Sequence, residues 1–195
     1  RQQMEQDAMI NQRYSTERLL SVASINIDGI KKLTGLLGNT FVEKIKDLGA
    51  DQSGADLIFL QEVHAREGDD KITAITTAIL EKLNSVTGHQ YKVHYAKHKH
   101  ESRAGTAVIH KESLEVKIIR GIAPDGEPLT EDNERYHMEH VDPQGRFIGV
   151  QLSGETDIHD FISVYAVNSG AGETQKQIHQ GKELAEKVLQ LKRWY

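Results

Sequence analysis

Short apolar runs alternating with amphipathic stretches constrain this chain more than any other feature. Ala55 to Leu60 (ADLIFL) is the clearest run, and a stretch this apolar is expected of a strand covered on both faces. Leu19 to Ile27 (LLSVASINI) alternates from Val22 through Ile25 and Ile27 and reads as another strand. Between them Thr40, with Glu43 three residues on, has the form of a capping box. Phe41, Ile45 and Leu48 follow at helical spacing, and Gly49 stands where a helix would stop. A second helix is expected from near Asp70, with Ile72, Ile75, Ile79, Leu80 and Leu83 on one side and Asn84 to Gly88 ending it. Further strands are expected at Tyr91 to Ala96, Ala104 to His110, Leu114 to Ile119, Arg135 to His140, Arg146 to Leu152 and Phe161 to Val167. A final helix is expected from about Glu173 to Leu191. Gly121 to Asn133 holds two of the three prolines and several acids, and reads as a solvated loop. Helices flanking a strand-rich middle point to mixed α/β layering.

The chain has 195 residues, enough for one domain or a large piece of one. Residues 1–18 are polar and read as an arm or linker, which leaves residues 19–195 for the domain. No run approaches the roughly 18 to 20 apolar residues a bilayer span requires, so no membrane span is expected. The absence of cysteine removes disulfides and thiolate zinc sites. It is compatible with an intracellular setting, cytoplasmic or nuclear. A net charge of −5 argues against adhesion to nucleic acid by charge alone. It leaves room for a metal-dependent enzyme, whose ligand carboxylates make the local balance negative until a cation binds.

Three strand ends gather polar groups. Ser24 to Gly29 (SINIDG) closes the first strand with an amide and a carboxylate, and Leu60-Gln61-Glu62 closes the second in the same way. Tyr165 to Gly170 (YAVNSG) ends the last strand with a phenol and an amide. Each has a plainer reading: Gln-Glu is a strand meeting water, Asp-Gly is a turn, and Tyr165 is strand packing. Hard oxygen donors at rigid strand ends also suit Mg2+, which takes one or two protein carboxylates and serves phosphate ester hydrolysis. Histidines offer a weaker alternative. His94, His98 and His100 lie close together around an expected strand end, so the four-residue step from His94 to His98 is not that of a helical zinc site. His137 and His140 point to opposite faces of an expected strand.

The order S-x-N-x-D-G, A-D-L-I-F-L-Q-E, R-A-G-T-A-V, D-P-Q-G-R-F-I-G-V and S-V-Y-A-V-N-S-G resembles the endonuclease/exonuclease/phosphatase superfamily. Within it, the chain is similar to the branch of exonuclease III, the apurinic endonucleases and retrotransposon endonucleases, from about Leu19 to Leu191. The resemblance implies a four-layer, two-sheet sandwich of the deoxyribonuclease I type with helices outside. It also implies a Mg2+-dependent nuclease (Mn2+ being an alternative), acting on DNA or RNA by in-line water attack. Position by position, it assigns Asn26 to the hydrogen-bond network of the site and Asp28 to the metal's side. Glu62 becomes the principal metal ligand, Tyr165 the tyrosine at the scissile phosphate, and Asn168 the amide of a Tyr-x-Pro-Asn segment in which Val167 here replaces proline. The family continues into a Gly-Asp-x-Asn strand and a Ser-Asp-His segment, and neither is matched here. The resemblance therefore implies a chain lacking the C-terminal half of the sandwich, paired with that half or another subunit and inactive by itself. Two other readings remain at this point: a catalytically inactive relative serving as a binding or structural subunit, and a phosphodiesterase acting on an inositol phosphate or sphingolipid.

Overall fold

The structure, a computed structural model, describes residues 20–49, 53–66, 68–97, 104–123, 126–130, 144–153 and 158–165. Two four-stranded sheets form its centre. The first contains β1 (Val22–Asn26), β2 (Leu57–Gln61), β3 (Tyr91–Ala96) and β4 (Thr106–Lys111), in the order β1-β2-β4-β3. β1 and β2 run parallel with Asn26 opposite Gln61, and the other pairings are antiparallel. Parallel neighbours need a crossover, supplied here by a 3-10 turn (Ile30–Lys32) and α1 (Gly35–Asp47). The second sheet is antiparallel: β5 (Val116–Ile122), β6 (Pro128–Thr130), β7 (Phe147–Ser153) and β8 (Ile158–Val164), in the order β6-β5-β7-β8.

The apolar run of β2 is explained by what lies on its two faces. Ile58 and Leu60 pack under α1 and α2 (Asp70–Thr87), with Val42, Ile45, Ile72 and Leu83. Leu57 and Phe59 point the other way, onto Ile118, Ile148 and Val150 of the second sheet. All four are buried, which contributes about 1.5 to 3 kcal/mol for each such side chain. Helices, first sheet and second sheet thus make three layers among the described residues. A third cluster of Ile119, Ile122 and Phe147 is buried on the far face of the second sheet. Both sheets lie in this chain and pack against one another through Phe59, Ile118 and Ile148.

Local chemistry sets the element ends. The Asp69 side chain accepts a hydrogen bond from the Lys71 N–H at the start of α2, and Gly88 closes it in the left-handed conformation. The Thr40 capping box is not formed. α1 begins at Gly35, and the Thr40 hydroxyl instead donates to the Leu36 carbonyl inside the helix. Its first turn carries Leu36 and Leu37 exposed, so no apolar stripe marks it. Part of the expected loop from Gly121 to Asn133 is strand. β6 pairs with β5 and buries Leu129, while Pro128 is tolerated because it opens an edge strand. The expected strand Arg135 to His140 and helix Glu173 to Leu191 lie outside the described residues. No helix among the described residues is long and apolar enough to cross a membrane.

Candidate metal and phosphate site

The open ends of β1, β2 and β8 meet at the Glu62 carboxylate. The parallel pairing of β1 with β2 continues past both strands: Ile27 N–H donates to Gln61 O, Gly29 N–H to Glu62 O and Ile30 N–H to Val63 O. Asp28 is the residue left out of this ladder, and its N–H donates instead to Asn26 Oδ1 at 3.1 Å. This is an Asx turn, the local use to which Asn is best suited. The same Asn26 amide donates from Nδ2 to Glu62 Oε1 at 2.7 Å. On the other flank, Val63 and His64 N–H groups donate to Gly105 and Ala104 carbonyls. Ala104 and Gly105 therefore hold the far side of the Val63 to His64 backbone.

Asp28, Glu62 and His64 all have positive φ, at 47, 54 and 55 degrees. Non-glycine residues rarely adopt this conformation, which persists only where surrounding bonds impose it. Their ligand atoms (one carboxylate oxygen each from Asp28 and Glu62, one ring nitrogen from His64) lie within 4.8 Å of one another. This is the only cluster of its kind among the described residues. The donor set fits a divalent cation, with two hard oxygens and one imidazole in reach of a common point.

Charge at the site is set by hydrogen bonds. The Asn26 amide holds the Glu62 carboxyl below its ordinary range; partial burial opposes this, while the Tyr165 hydroxyl and His64 reinforce it. Glu62 is therefore ionised at neutral pH. Asp28 is also depressed, by the hydrogen bond and charge of Lys32, whose ammonium pairs with it on the solvent side. Tyr165 follows β8, with its N–H donating to Arg146 O at 2.8 Å. Burial, then the hydrogen bond to Glu62 and its negative charge, raise the Tyr165 hydroxyl. It stays protonated, an O–H donor aimed at a carboxylate. The Arg146 guanidinium lies 4.8 Å from the centre of the Tyr165 ring, and its Nε donates to Gln144 Oε1 at 2.6 Å.

Gln61 ties the two sheets together beneath the site. Its Nε2 donates to Ser24 Oγ of β1 at 3.0 Å and to Ser163 Oγ of β8 at 2.8 Å. Gly145 explains part of the Asp-Pro-Gln-Gly-Arg segment: a Cβ there would lie 2.1 Å from the Ala96 carbonyl oxygen, and its own carbonyl accepts from Thr106 Oγ1.

Of the residues expected from sequence, Asn26, Asp28, Glu62 and Tyr165 are brought together; Asn168 lies outside the described residues. Sequence reasoning missed His64 and assigned Arg146 no role. His64 stands two residues after the Glu62 that ends β2, and that spacing beside a candidate ligand was its available signal. Among the described residues, His94 belongs to no metal-ligating cluster. Its Nε2 instead meets His110 Nε2 at 3.3 Å, and His98, His100, His137 and His140 lie outside the described residues. No protein-family model matches the chain. No curated protein matches it either. Among solved structures, the chain is similar to an endonuclease/exonuclease/phosphatase family protein from Leptotrichia buccalis, with a TM-score of 0.43 and 15% sequence identity. That match covers 85% of this chain and 62% of the length of the other.

Proposed function

We propose that the Glu62 cluster is the cation and phosphate site of a metal-dependent phosphodiesterase, a nuclease acting on DNA or RNA. The observation that carries the reading is the convergence on one carboxylate of an amide from β1 and a phenol from the end of β8, with a second carboxylate beside it. Two sequence segments, Gly145-Arg146-Phe147 and Tyr165-x-x-Asn168-Ser169-Gly170, favour a nucleic-acid substrate over other phosphodiesters. Asp28 and Glu62 would hold the cation, of the Mg2+ or Mn2+ type. When bound, such a cation neutralises phosphate charge and stabilises the attacking and leaving oxygens. Asn26 fixes the rotamer of Glu62 and keeps it ionised. Tyr165, protonated and packed against Arg146, donates its hydroxyl to Glu62 here and, in this reading, turns that one donor to a phosphate oxygen when substrate is bound. Asn168 is proposed as a further phosphate-side amide.

The test is hydrolysis of supercoiled plasmid, single-stranded RNA and bis(p-nitrophenyl) phosphate by the natural-length protein. Parent and Glu62→Gln are compared with Mg2+ or Mn2+ and with chelator. The reading expects metal-dependent hydrolysis that the substitution removes. Metal-dependent binding of the nucleic acid without turnover would replace it with that of an inactive binding relative. Equal hydrolysis by both proteins would place the chemistry elsewhere.

A further inference from the structure

We propose that His64 is a third ligand of the cation, and that its nitrogen biases the site toward divalent transition metals over Mg2+. The inference rests on the reading of the Glu62 cluster as a cation site and goes beyond it in naming the class of metal. Two contacts set the imidazole's orientation. The Nδ1 side lies against Gly29, where an added Cβ would come within 3.1 Å of Nδ1. Nε2 is thereby turned toward Glu62, 3.5 Å from Oε2. That distance is long for a hydrogen bond. It falls in the range of two ligands sharing one ion, about 3 Å for adjacent ligands and about 4 Å for opposite ones at metal–ligand distances near 2.1 Å.

The backbone supports the same arrangement. His64 sits at φ 55 degrees, with its N–H bound to the Ala104 carbonyl at 2.8 Å. Gly29, at φ 102 degrees, adopts a backbone strained for other residues and lets the ring pack closely, since a Cβ there would crowd it. Oxygen-only sites suit Mg2+, whereas an imidazole donor favours later divalent ions such as Co2+ and Zn2+.

The experiment is calorimetric titration of the purified protein with Co2+ and with Mg2+, alongside the visible absorption of bound Co2+. Parent and His64→Asn are compared. Asn is chosen because it tolerates positive φ better than other replacements, and circular dichroism checks the fold. The expected result is a loss of Co2+ affinity of about tenfold or more, a changed Co2+ spectrum, and Mg2+ affinity shifted much less. Equal losses for both ions would make His64 a structural residue and overturn the proposal, as would an unchanged Co2+ affinity and spectrum. A parent that binds neither ion would sink the cation site itself. A parent that binds Mg2+ normally, with no Co2+ effect in the variant, would remove the His64 assignment alone.

Discussion

Asn26 Nδ2 lies 2.7 Å from Glu62 Oε1, joining two residues 36 positions apart at the open end of a parallel strand pair. The bond fixes a carboxylate that strand geometry alone would leave to solvent, and its effect on Glu62 is larger than that of any other neighbour. Asn26→Ala is expected to raise the Glu62 pKa toward its ordinary value and to weaken metal binding about 10- to 100-fold. NMR titration of the Glu62 carboxyl carbon and calorimetry with Mg2+ measure the two effects. A Glu62 that titrates unchanged would separate Asn26 from the site.

Tyr165→Phe removes the hydroxyl but keeps the ring on Arg146. In the proposed mechanism turnover falls by about one to a few kcal/mol of transition-state stabilisation, as when one positioned donor is lost, with little change in melting temperature. Unchanged turnover would reduce Tyr165 to packing.

The opposite end of β2 carries a buried ion pair that serves the fold. Lys111 Nζ lies 3.1 Å from Asp56 Oδ1, with side chains 3% and 6% exposed, and the Ser21 N–H and hydroxyl both donate to Asp56 Oδ2. Lys111→Met removes the ammonium that balances a buried carboxylate and is expected to cost about 3 to 5 kcal/mol by urea denaturation. Burial pushes the Asp56 carboxyl up, but the Ser21 and Lys111 bonds outweigh it and the net direction is down. A depressed folded-state pKa gives stability that is present above the ordinary carboxylate range and lost as pH falls through the folded value. Asp56→Asn should therefore flatten the acid limb of the stability profile below about pH 4. An acid limb identical to that of the parent would show that other carboxylates govern it.

Gln61 joins the sheets through Ser24 and Ser163. Gln61→Leu loses both bonds and leaves two hydroxyls to find other partners, at an expected cost of about 1 to 2 kcal/mol. The Tyr165 side of the site should loosen with it, seen as faster amide exchange at Ser163 and Val164. Exchange as slow as in the parent would show that apolar contacts alone fix the sheets.

Much of the architecture was legible because it rests on local patterns. The two-faced burial of β2 follows from the unbroken Leu57 to Leu60 run, and α2 follows from Ile72, Ile79 and Leu83 at helical spacing. What the sequence hid was decided by tertiary context. Thr40 and Glu43 have the form of a cap, yet α1 starts at Gly35 in a turn whose leucines face solvent. β6 is three residues long and opens with proline, so neither period nor composition marks it; its pairing to β5 does. Asn26, Asp28, Glu62 and Tyr165 were singled out through ordered segments rather than spacing, and the fold brings them together. His64 escaped because only the fold turns its ring back toward Glu62.

The central claim is that Glu62 anchors a divalent cation. Calorimetric titration of the parent and of Glu62→Gln with Mg2+ tests it most directly, with circular dichroism to establish that both are folded. The account predicts saturable binding by the parent and none, or binding weaker by at least tenfold, by the variant. Identical isotherms for the two folded proteins would contradict it.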